Sequence, residues 1–80
     1  MTETEKQLED ETKKWLEKLK DEDIDSAAGK GEMFVENIEA YTKDAEHFLE
    51  EGDLVRAFEA VVWAWSWLEI GEELNGLKRR

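Results

Sequence analysis

Nine consecutive residues, Ala60 to Leu68, carry no charge in a chain where Asp, Glu, Lys and Arg make up 41% of all residues. The run reads Ala-Val-Val-Trp-Ala-Trp-Ser-Trp-Leu, and a fold must find cover for it. As a helix it is only ~14 Å long, far short of the ~30 Å hydrocarbon core of a bilayer, so it is not a membrane span. At 100° per residue its neighbourhood divides into two apolar stripes. Leu54, Ala57, Phe58, Val61, Ala64, Trp65 and Leu68 form the first, expected to face a neighbouring helix. Ala60, Trp63, Trp67, Ile70 and Leu74 form the second, spaced alternately three and four as in a coiled-coil seam. Together they cover about two-thirds of the circumference, well beyond the ~100° stripe of an ordinary surface helix.

The rest of the chain supplies two more helices. Residues 3–20 place Leu8, Thr12, Trp15, Leu16 and Leu19 on one narrow face. Thr2 or Thr4, with Glu5 or Gln7 three residues on, suits the reciprocal capping arrangement at its start. Acids early and lysines late suit the helix dipole. Residues 21–31 break the pattern and read as a loop, with Ile24 as a plug for the bundle end. Residues 32–51 carry Phe34, Ile38, Tyr41, Ala45, Phe48 and Leu49 on one face. Gly52 then stops that helix and Asp53 caps the next, residues 54–74, so the two must fold back as an antiparallel hairpin. Asn75-Gly76 supplies the last stop, and Lys78, Arg79 and Arg80 bring positive charge to the negative end of the dipole.

Composition narrows the function classes. Eighty residues allow one domain. With no Cys there is neither a disulfide nor a thiolate metal site, and no Pro interrupts the helices. The acidic, amphipathic first 25 residues are the reverse of a secretory signal, which points to the cytoplasm. A net charge of -11 opposes nucleic-acid binding, and three basic residues at the C-terminus do not reverse it.

Motifs for catalysis are weak. Gly29-Lys30-Gly31 lacks the spacing of a phosphate loop and reads as a turn. His47, the single His, makes Asp44-x-x-His47 with Asp44, but a di-iron bundle site needs a second carboxylate–His pair and two further Glu, and the chain has no second His. Ser26 and Ser66 have no His nearby to activate them. The sharpest lead is Glu36-x-x-Glu39 followed by Glu50-x-x-Asp53. Carboxylates suit Mg²⁺, and i,i+3 spacing aims each pair at one place. The pattern resembles the metal-binding carboxylates of the all-α nucleotide pyrophosphatases, although the pairs lie close together in the chain and 22 acids make such spacing common.

Tyr41, Asp44-Ala45, Phe48-Leu49, Gly52-Asp53, Ala57-Phe58, the aromatic and Ala-rich run around Ala64, Leu68, Gly71 and Gly76 resemble the domain of unknown function 357 family. The resemblance spans residues 41–76 and implies a short antiparallel helical bundle of archaeal type, with no activity, cofactor or catalytic residue attached. The turn around Gly52-Asp53 also looks like a tetratricopeptide hairpin, but residues 1–40 hold no second copy of that ~34-residue repeat.

The expected fold is therefore a single all-α domain, an up-down-up antiparallel three-helix bundle with left-handed, coiled-coil-like packing. The expected function is a non-enzymatic interaction or oligomerisation module without a cofactor. Its partner is a second copy, or an unknown protein, meeting Ala60, Trp63, Trp67, Ile70 and Leu74. The competing reading is an Mg²⁺-dependent nucleotide pyrophosphohydrolase using Glu36, Glu39, Glu50 and Asp53. For the second stripe, the ordinary alternative is burial under helix one.

Overall fold

The capping chemistry at each helix end fixes where the elements begin and stop. In the computed structural model, which describes residues 1–26 and 31–79, three helices and two very short strands follow one another in the order helix, strand, helix, helix, strand. Helix α1 (Glu3–Lys20) opens with Thr2 as N-cap. The Thr2 hydroxyl accepts from the Glu5 amide while the Glu5 carboxylate accepts from the Thr2 amide, at 3.1 and 3.2 Å. Helices α2 (Gly31–Glu50) and α3 (Leu54–Glu73) follow the 21–30 connection, of which residues 27–30 lie outside the described set, as does Arg80. The Gly29-Lys30 portion of the expected turn and one member of the basic triplet therefore lie outside the description.

Gly52 adopts φ +76, in the left-handed region. Its amide donates to the Leu49 carbonyl and the Asp53 amide donates to the Phe48 carbonyl, which closes α2 with a Schellman turn. The Asp53 carboxylate then accepts from the Arg56 amide at 3.2 Å and starts α3. The same turn recurs at the end of α3. There Asn75 takes φ 59, with Asn75 donating to Glu72 and Gly76 to Gly71.

Direction follows from the contacts. Tyr41 stacks on Trp63 and Phe34 on Trp67, so numbers fall along α2 as they rise along α3. Leu16 packs with Ala60 and Val61, and Leu19 with Ala64 and Leu68, so α1 runs parallel to α3. The result is an up-down-up arrangement in which α3 touches both other helices and α1 meets α2 only lightly. Two clusters make the core. Leu19, Phe34, Ile38, Ala64, Leu68 and Leu77 fill one end; Leu16, Ala45, Ala60 and Val61 fill the other.

The strands depart from the expected loop. β1 (Ile24–Ser26) pairs antiparallel with β2 (Leu77–Arg79), in the register Ile24 to Arg79, Asp25 to Lys78 and Ser26 to Leu77. This ribbon brings Leu77 into the core and ties the segment after α3 to the segment after α1. Gly31, read from sequence as part of the turn, is the buried first residue of α2. A Cβ there would lie 2.5 Å from the Gly76 carbonyl oxygen and 2.5 Å from the Ser26 Cβ. At Gly52, by contrast, a Cβ would meet nothing within 4 Å.

The two glycines should thus respond differently to alanine. Gly52→Ala should cost about 1–2 kcal/mol, the price of positive φ alone. Gly31→Ala forces backbone apart as well and should cost more, on the order of 2–3 kcal/mol. Urea unfolding of both variants checks the order; equal midpoints would mean that the ribbon does not press on α2.

Candidate functional site

The indoles of α3 sort the surface of the molecule into two faces. Trp65 turns to α1, where its Nε1–H donates to the Trp15 carbonyl at 3.1 Å. The two rings meet edge to face, centroids 5.8 Å apart at 88°. Trp63 and Trp67 turn to α2, Trp63 lying nearly flat on Tyr41 at 6.1 Å and Trp67 tilted on Phe34 at 5.7 Å. This departs from the expected assignment in part. Helix one meets Val61 and Trp65 of the first stripe through Leu16 and Trp15. Ala64 and Leu68 of that stripe share a core cluster with Leu19 of α1 and with Phe34 and Ile38 of α2. Trp63 and Trp67 of the second stripe lie on α2 rather than under helix one.

Because α2 packs on parts of both stripes, the candidate interface residues have different fates. Ala60 is buried beside Ala45, and Trp67 is half-buried against Phe34. Trp63, Ile70 and Leu74 remain 53%, 44% and 66% exposed. They lie on the outer face of the α2–α3 hairpin, away from α1, with Tyr41 beside them. A second apolar surface was not foreseen. Trp15, Phe58 and Val62, each more than a third exposed, border an open groove of about 750 Å³ between α1 and α3. The signal for it was the first stripe itself, whose Phe58 lies too far round α3 for the narrow α1 to cover.

The four candidate metal carboxylates do not converge. Glu36, Glu39 and Glu50 are exposed along α2, and Glu39 and Glu50 are eleven residues apart, ~16 Å along a helix. Asp53 is engaged as the cap of α3, with the Arg56 guanidinium 3.6 Å away. Among the described residues no three His, Cys, Asp or Glu side chains form a group able to hold a metal ion. His47 pairs with Glu51 at 3.0 Å on the solvent side of α2. The Ser66 hydroxyl donates back to the Val62 carbonyl at 2.8 Å, a common resting place for a helical serine. Arg79 does more than complement a helix end. Its guanidinium bonds Glu72 at 2.8 Å and Glu22 at 3.2 Å, and its charge sits 5.4 Å above the Trp65 ring.

Comparison with known proteins is informative at the level of family. A family model described as a protein of unknown function, DUF357, matches residues 6–77. The chain belongs to the DUF357 family. The match is wider than the 41–76 stretch that first suggested it and takes in α1 and the ribbon. The crystal structure of protein AF1782 from Archaeoglobus fulgidus, itself a DUF357 protein, superposes with a TM-score of 0.82 at 51% identity. That similarity covers 96% of this chain and 99% of the other. No curated protein matches. As for membranes, no helix among the described residues of this DUF357 chain is long and apolar enough to cross one.

The two inward-leaning tryptophans make opposite predictions. The Trp67 Nε1–H is buried with no acceptor among the described residues, whereas that of Trp65 is satisfied. Trp65→Phe should therefore lower stability by about 1–2 kcal/mol through the lost bond to Trp15. Trp67→Phe, which removes an unpaired donor, should be neutral or slightly stabilising. Paired thermal melts would settle the matter, and a larger loss at Trp67 would mean that its indole finds an acceptor.

Proposed function

We propose that this DUF357 domain is a non-enzymatic, cytoplasmic protein–protein interaction module, and that it pairs with a second copy through the outer face of its α2–α3 hairpin. One observation carries the reading: Trp63, Ile70 and Leu74 lie exposed along one side of α3, on the face that α1 leaves free. Contiguous apolar patches of this kind are uncommon on monomers, and aromatic anchors are enriched at the centres of interfaces. A symmetric pair brings each exposed indole against the same surface of its partner, which is how isologous dimers close.

Charge sets the terms of the pairing. Two chains of net charge -11 repel, so contact must come from the apolar side chains and is opposed by the field around them. Nothing in the arrangement of Glu36, Glu39, Glu50 and Asp53 favours the competing hydrolase reading.

Three measurements test the proposal. By light scattering the wild-type chain should have twice the monomer mass, and Ile70→Glu with Leu74→Glu should return it to monomer while circular dichroism keeps its helical signal. Both side chains are exposed, so the fold survives their replacement. Raising salt from ~20 to ~300 mM, or lowering pH towards 4.4, should strengthen association as the mutual repulsion is screened or neutralised. Titration calorimetry with Mg²⁺ and a nucleoside triphosphate should give no saturable heat; micromolar binding would revive the hydrolase. A wild type that stays monomeric at all salt concentrations would end the self-association reading.

A further inference from the structure

We infer that the groove between α1 and α3 is a docking site for a basic amphipathic helix of another protein. The α1–α3 pair presents two grooves. Helix α2 fills one, with Ile38 and Ala45 among the side chains packed there. The other is walled by Trp15, Phe58, Val61, Val62 and Trp65 and stands open. Along α3 it runs from Phe58 to Glu69, ~16 Å or three helical turns. That is a trough for an elongated ligand rather than a cup for a compact one. A helix laid in it would complete a four-helix bundle, its apolar residues at i, i+3 or i+4 and i+7 entering between Trp15 and Val62.

Charge selects the partner. Asp21, Glu22 and Glu69 border the groove against Lys18 and Arg79. Arg79 is already held by Glu22 and Glu72, whereas no basic side chain pairs with Asp21 or Glu69 among the described residues. The two indoles show what the groove attracts. Lys18 lies 4.5 Å from the Trp15 ring centre and Arg79 5.4 Å from that of Trp65, so both rings already draw cations from within the chain. Around this stands a molecule of net charge -11, which repels a second copy and draws in a polycation. The occupant is therefore a helix with an apolar face flanked by Lys and Arg. It uses a different face from the proposed dimer, and its salt dependence has the opposite sign.

The probe is a labelled, ~18-residue designed peptide with Leu and Ile on one helical face and Lys and Arg on the other, followed by fluorescence anisotropy against the whole chain. Saturable binding is expected, weakening at least ~10-fold between ~50 and ~300 mM salt. Val62→Lys places a charge in the trough and should weaken binding ~10-fold, roughly what burial of one such side chain supplies. Glu69→Lys should weaken it several-fold at low salt, and a peptide with the same apolar face but Glu in place of Lys and Arg should not bind. Ile70→Glu with Leu74→Glu should bind like wild type, whether or not the chain dimerises. The inference is overturned if the basic peptide fails to bind, or if Val62→Lys and Glu69→Lys bind it unchanged. Equal binding by the acidic peptide, loss of binding in the Ile70/Leu74 variant, or equally tight occupation by phenyltrimethylammonium alone would overturn it too.

Discussion

Small side chains at the centre of α3 determine where everything else goes. Ala57 and Ala64 are fully buried and Ala60 nearly so, with the fully buried Ala45 of α2 packed in one cluster with Ala60. A seam of methyl groups lets the two helix backbones come close, and close-packed interiors leave no space there for an indole. The three tryptophans of α3 are therefore pushed to the margins of the contact. Trp65 settles on α1, and Trp63 and Trp67 settle on the rings of α2. Each margin leaves an aromatic edge towards solvent, which is why so small a domain has two apolar surfaces to offer. The exposed apolar surfaces are thus a consequence of how the core is packed.

A second constraint acts at the opposite end of the bundle from the hairpin turn. Helix α1 grips the rest of the molecule with few large residues, and its first five positions, residues 3–7, are exposed. The ribbon compensates. Pairing Ile24–Ser26 with Leu77–Arg79 seats Leu77 under Gly71 and Phe34, and Arg79 reaches both Glu22 and Glu72. The ion pairs are partly shielded and share one guanidinium, a better geometry than the isolated surface pairs Lys13–Glu9 and Lys14–Glu11, which contribute little. The chain segments that follow α1 and α3 are thereby fastened to each other beside the groove between those helices.

Most of the architecture was legible along the chain because its causes are local. Thr2 with Glu5, Gly52 with Asp53, and Asn75 with Gly76 mark helix ends through hydrogen bonds between residues no more than five apart. The ribbon was not legible, because each strand is three residues long and its pairing joins positions more than fifty apart. Ile24 and Leu77 were single apolar residues beyond helix stops, and no period can be read from one residue. The candidate interface was half legible: the stripe of Ala60, Trp63, Trp67, Ile70 and Leu74 exists as a line on α3, but which part of it meets a neighbour depends on where the neighbours sit.

The sequence by itself determined three helices, their ends and the two-sided apolar character of the third, since propensity, capping and periodicity act within a few residues. Only the tertiary structure decided which stripe each neighbour covers. A wheel shows that α3 needs two partners, yet the handedness with which α1 crosses to one side of the α2–α3 hairpin is not written in its period. That choice follows from side-chain fit, with Trp65 seated on the Trp15 carbonyl and Leu16 against Val61. By the same choice Trp63, Ile70 and Leu74 stayed in solvent and the groove beside Phe58 and Val62 stayed open.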